Sequence, residues 1–95
     1  MHNTMHNHIH PDQKQILNRL ARIEGHVRAV KQMVSDERDC SEVLLQIAAI
    51  RKAMDNTAKI ILKGHLEHCL AHAVSAGEHE ASLKKLQDAL DRYLG

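Results

Sequence analysis

The sequence predicts an all-α fold of three helices, two long and one shorter at the C-terminal end. Three observations carry this. Apolar residues recur at steps of three and four along most of the 95 residues. Tyr93 is the one aromatic residue, so the core must be built from Leu, Ile, Val, Ala and Met, as in helix bundles. One Pro and four Gly leave little material for hairpins.

Residues 1–10, MHNTMHNHIH, have no helical apolar pattern and read as a flexible, histidine-bearing tail. Residues 11–95 read as a single domain. Pro11 sits where a first helical turn tolerates it. Ile16, Leu20, Ile23, Val27, Val30 and Val34 then form one stripe, which carries helix 1 to about Ser35. Asp36-Glu37-Arg38-Asp39 is a charged break. Asp39 followed by Glu42 matches a capping box, which starts helix 2 near Cys40. Val43, Ile47, Ile50, Met54, Thr57, Ile61, His65 and Cys69 keep the spacing without interruption. Helix 2 is therefore expected to reach Val74, with Ser75-Ala76-Gly77 as its stop. Leu83, Leu86, Leu90 and Leu94 mark helix 3.

Helix 2 is the informative element. At 1.5 Å per residue it is a rod of roughly 50 Å, longer than helix 1 or helix 3 can cover. Its second stripe, Leu44, Ala48, Ala58, Leu62 and Leu66, is left wanting a partner. A symmetric dimer or tetramer of bundles supplies one.

Charge and hydropathy narrow the function classes. The net charge of +1 argues neither for nor against nucleic acid, but its distribution is uneven. Between Gln13 and Gln32, Lys14, Arg19, Arg22, Arg28 and Lys31 face the single acid Glu24. No apolar run approaches the roughly 18 residues of a membrane span, and the start lacks the regions of a signal peptide. The cytoplasm is the expected location, where two cysteines serve as thiols or ligands rather than a disulfide. No nucleophile–base constellation suggests an enzyme.

His65 and Cys69 are four apart and share a helix face. Imidazole nitrogen and thiolate sulfur suit copper, zinc and nickel, although a His and a Cys on a largely apolar face are more often simple packing residues. Cys40 shifts the weighing. It lies 25 residues before His65, about 37 Å away along a continuous helix, so one chain cannot bring the two to one ion. Only an antiparallel helix 2 from another subunit would bring a Cys40 beside His65 and Cys69. The remaining histidines rank lower. His68 and His72 form another i, i+4 pair expected to face solvent, His26 and His79 are expected at the surface, and His6, His8 and His10 lie in the tail.

The stretch NRLARIEGHVRAVKQMV, then Cys40, then LLQIAAIRKAM, then His65-Leu66-Glu67-His68-Cys69 resembles the CsoR/RcnR family of bacterial metal-sensing repressors from Asp12 to Leu94. The resemblance implies antiparallel helical pairs forming four-helix bundles, assembled as a dimer of dimers, a homotetramer without a helix-turn-helix. It implies operator DNA as partner, released when a metal binds, so that an efflux or homeostasis gene is derepressed. Carried over by position, Cys40 of one subunit would join His65 and Cys69 of its neighbour. Arg19 and Arg22, with Lys14 and Arg51 as further candidates, would contact DNA.

Two details bear on the metal. In the nickel and cobalt branches a tail histidine stands 32 residues before the first Cys, and here that position is His8. With His8 the set is two nitrogens and two sulfurs, which suits planar Ni(II); without it, Cys2His suits trigonal Cu(I). The copper branch resembles itself in a Tyr just before the first Cys and a Glu 16 residues after the second, where this chain has Asp39 and Lys85. The balance favours Ni(II), with a Cu(I)-specific repressor that does not use His8 as the alternative. Formaldehyde-responsive and persulfide-sensing subtypes fit less well, given His2 and His65 respectively. From another class, a metal-storage or trafficking module without DNA binding would leave the basic helix as solvated surface.

Overall fold

The computed structural model describes residues 12–71 and 76–95, with side chains described outside residues 68–79. Pro11 and the tail histidines, His8 among them, lie outside the described residues. Three helices account for the described chain: α1 (Gln13–Ser35), α2 (Cys40–Ala71) and α3 (Ala76–Leu94). The chain divides into two compact units, Met1–His65 and Leu66–Gly95.

The first unit is an antiparallel pair of α1 with most of α2. The first-turn bond of α1 runs from the Ile16 N–H to the Asp12 carbonyl at 2.9 Å. Its C-terminal end closes as a Schellman motif, with the Arg38 N–H donating to Met33 O at 2.9 Å and the Glu37 N–H to Val34 O at 3.0 Å. The motif needs a left-handed residue between these donors, and Glu37 fills it at φ +56°. An L-residue there costs about 1–2 kcal/mol, which glycine avoids at some cost in unfolded-chain entropy. Glu37→Gly is therefore expected to stabilise the fold by about 0.5–1 kcal/mol, read as a rise in thermal midpoint by circular dichroism.

α2 begins where the sequence places it, at Cys40. The capping box forms differently, however. The Asp39 carboxylate accepts from the Ser41 hydroxyl, while Glu42 Oε1 accepts from Arg38 Nη2 at 2.5 Å. This ion pair is exposed on both sides, so its contribution is small.

Packing within the unit corrects the phase of the α2 stripe. Val43, Gln46, Ile50, Ala53, Thr57, Ile60 and Gly64 are buried or half-buried at strict three-four spacing. Gln46 meets His26 across the helix pair at 2.6 Å, and Ala53 and Thr57 lie with Arg19, Arg22, Ile23 and His26 of α1 around one cleft. Thr57, 2% exposed, satisfies its hydroxyl by donating to Ala53 O at 2.8 Å. The larger Ile47, Met54 and Ile61, read from the sequence as part of the same stripe, stay 46%, 44% and 42% exposed, and Leu44 59%. On α1, Ile16 and Val30 are buried as expected, while Val34 at the end of the predicted stripe is exposed. His26, expected at the surface, is half-buried in the helix interface instead.

In the second unit, α2 is described to Ala71 and residues 72–75, Val74 included, lie outside the described set. α3 begins at Ala76, so Ala76 and Gly77, expected to stop helix 2, form the first turn of the next helix. Leu86 and Leu90 are half-buried, and an exposed Lys84–Asp88 pair spans 3.4 Å on the outer side.

Candidate functional site

A second stripe of α2 in the first unit keeps the same spacing: Cys40, Leu44, Ile47, Arg51, Met54 and Ile61 are exposed, and Ala58 and His65 are half-buried. It alternates steps of four and three throughout, the pattern of a coiled-coil seam. Cys40 is an exposed free thiol at one end, and His65 is half-buried at the other. The uninterrupted helix between them holds the pair about 37 Å apart in one chain. Cys69 lies one turn beyond His65 in the backbone of α2, with its side chain outside the described residues. His68 and His72 are outside as well. Among the described residues, no three donors of one chain are gathered closely enough to hold a metal ion.

The stripe is symmetric in its own numbering. Cys40 and His65, Leu44 and Ile61, Ile47 and Ala58, and Arg51 and Met54 are all disposed about one midpoint, between Lys52 and Ala53. A second copy laid antiparallel on this stripe about that midpoint would set each member of a pair opposite the other. Sequence reading identified the two ends of this stripe but not its phase; the signal was the strict four-three alternation beginning at Cys40.

The basic residues separate into two places. Lys14, Arg19 and Arg22 line a groove of about 480 Å³ on the first turns of α1, together with Asp12, Gln15 and Asn18. Arg51 lies on the exposed stripe of α2 instead, between Ile47 and Met54. Arg19 and Arg22 also line the smaller cleft against α2, so they face both concavities. No helix among the described residues is long and apolar enough to cross a membrane.

Residues 12–92 match the family model described as metal-sensitive transcriptional repressor. The chain belongs to that family. It is 38% identical to the copper-sensing transcriptional repressor CsoR of Bacillus subtilis (strain 168) over 92 residues, 97% of this chain and 91% of the relative. Among solved structures, it resembles the nickel-responsive transcriptional regulator InrS with a TM-score of 0.72 at 45% identity, covering 93% of this chain and 99% of that one. It also resembles the copper-sensing repressor CsoR with Cu(I) from Geobacillus thermodenitrificans NG80-2, with a TM-score of 0.82 at 38% identity, covering 100% of this chain and 99% of that one. These relatives of the metal-sensitive repressor family are transcriptional regulators rather than enzymes, and they carry the same all-helical fold.

Proposed function

We propose that this chain is a cytoplasmic, metal-responsive repressor that holds operator DNA in its metal-free form and releases it when Ni(II) binds between subunits. The observation that carries the proposal is the self-complementary stripe with Cys40 at one end and His65 at the other, on a helix too rigid to join them within one chain. Two chains paired antiparallel along it would bring Cys40 of one to His65 and Cys69 of its neighbour, once at each end. Two such pairs would form the homotetramer. Residues 11–95 would act as the sensing domain, and the tail would contribute His8.

A bound transition-metal ion supplies a crosslink through thiolate sulfur and imidazole nitrogen. The chain does the rest. Cys40 and Cys69 give up their thiol protons, His65 offers a ring nitrogen, and the seam residues Leu44, Ile47, Met54 and Ile61 hold the helices in register. Lys14, Arg19 and Arg22 present their charge to phosphates along α1. A switch requires the two packings of the subunits to differ in DNA affinity, and a coupling of about 1–3 kcal/mol is typical.

Ni(II) is favoured by His8, which adds a second nitrogen, and by Asp39, whose carboxylate is engaged with Ser41 at the start of α2. The copper-sensing relatives support the Cu(I) reading, in which His8 takes no part. The test is a titration of the full chain with Ni(II) and with reduced Cu(I), following thiolate charge-transfer absorption beside release of the chain's own upstream DNA. His8→Ala is expected to weaken the Ni(II) response about tenfold or more and leave Cu(I) unchanged. A retarded DNA band that neither metal removes would overturn the sensor. A folded tetramer that never retards DNA would favour the storage module.

A further inference from the structure

We propose that the cleft between α1 and α2 is a seat for a phosphate group, in which His26 is held by Gln46 to act with Arg19 and Arg22. The proposal deepens the DNA-binding reading and rests on it for the source of that phosphate.

The cleft is lined by Arg19, Arg22, Ile23, His26, Ala53 and Thr57, and has a volume of about 90 Å³. That is room for several waters, and so for a small tetrahedral oxyanion. Its charge is of one sign. Arg19 and Arg22 are the charged lining residues from α1, and those from α2, Ala53 and Thr57, are neutral. Two guanidinium groups beside a half-buried imidazole, with no lining carboxylate, form an environment that an anion would relieve.

His26 is placed for this by a contact that would otherwise be surplus. Gln46 Oε1 lies 2.6 Å from His26 Nε2, across twenty residues of sequence. The carbonyl oxygen can only accept, so Nε2 carries the proton of that bond and the ring orientation is fixed. Gln46 engages Nε2, which leaves Nδ1 as the other ring nitrogen for the seat, a donor when the ring is an imidazolium. Thr57 adds no donor, since its hydroxyl hydrogen is committed to Ala53 O. It closes the floor.

The position of the cleft links it to the larger basic groove. Arg19 and Arg22 line both, so a phosphodiester seated in the cleft would continue the track of phosphates that Lys14 begins. A free phosphate ion satisfies the same donors, and the experiment separates the two sources.

The test uses the full apo chain. In one arm, anisotropy measures its affinity for its own upstream DNA at fixed salt, for wild type and His26→Ala. His26→Glu is the second variant, since its carboxylate can accept from the Gln46 amide and keep the helix pair closed. Expected losses are about tenfold for His26→Ala and at least about a hundredfold for His26→Glu. Gln46→Ala is expected to cost about threefold in the wild-type background and nothing in the His26→Ala background, a pattern that mere loosening of the helices would not give. Replacing one phosphate of the DNA by a neutral methylphosphonate should erase the difference between wild type and His26→Ala. In the other arm, inorganic phosphate is titrated without DNA, following the imidazole nitrogens by NMR. Phosphate-dependent shifts with no loss of DNA affinity in the variants would make the free ion the occupant. Variants that bind DNA as wild type does, with an imidazole silent to phosphate, overturn the seat. If wild type itself fails to bind DNA, the DNA reading fails and the phosphate titration still decides the cleft.

Discussion

Cys40→Ala chains are expected to hold DNA about as wild type does and to need at least about a hundredfold more metal to release it. Cys40 is exposed at the first residue of α2, away from the groove of Lys14, Arg19 and Arg22, so its removal leaves the DNA-facing surface intact. What it removes is one end of the bridge. The sharper form of this experiment mixes two defective chains. In a two-fold antiparallel pair of Cys40→Ala with His65→Ala, one end carries both lesions and the other carries none. Random exchange of subunits should therefore restore about one quarter of the full sites, although each parent has none. Donors collected within one chain cannot give this result, because each chain still carries its own lesion. Exchange verified by mass, with no recovered metal site, ends the bridging model. So does a Cys40→Ala chain that releases DNA at the wild-type metal level.

The parts of the fold legible in the sequence were those fixed by backbone geometry. The rise of a helix is the same whatever it packs against, so the separation of Cys40 from His65 followed once no Pro interrupted the residues between them. The phase of α2 was harder to read. Counting large apolar residues selects Ile47, Met54 and Ile61, yet the α2 residues that meet α1 include Gln46, Ala53 and Thr57, which such a count passes over. Gln46 was not singled out at all, and without it His26 was missed as an interface residue. Ala76 and Gly77 open α3, because residues that end one helix are also tolerated in the first turn of the next, where backbone N–H groups have no intrahelical partner in any case. Glu37 gave no signal, since the left-handed end of α1 is usually read from a glycine. His8 rests on the family resemblance, because a segment without periodicity offers no geometry to place it.

A carboxylate placed in the seam should take the assembly apart, and a lysine placed opposite should rebuild it. Leu44 and Ile61 are equidistant from the midpoint of the exposed α2 stripe, so each would face the other across an antiparallel contact, twice in every pair of chains. Leu44→Glu removes an apolar contact of about 1.5–3 kcal/mol and buries an unpaired charge costing several more. With the lesion doubled by symmetry, the variant is expected to sediment as a monomer where wild type is assembled, with association weakened at least about a thousandfold. Metal affinity should fall with it, because both ends of the bridge depend on the pairing. Ile61→Lys alone is expected to fail in the same way. In the double variant Leu44→Glu/Ile61→Lys, each new carboxylate meets an ammonium on the neighbouring chain, and association should recover by at least about tenfold over either single change. Recovery depends on register. A parallel contact would set like charges against each other at both positions, and a slip of one turn would leave no carboxylate facing an ammonium. A double variant no better assembled than its parents would therefore exclude this pairing, and with it the arrangement that brings Cys40 to His65.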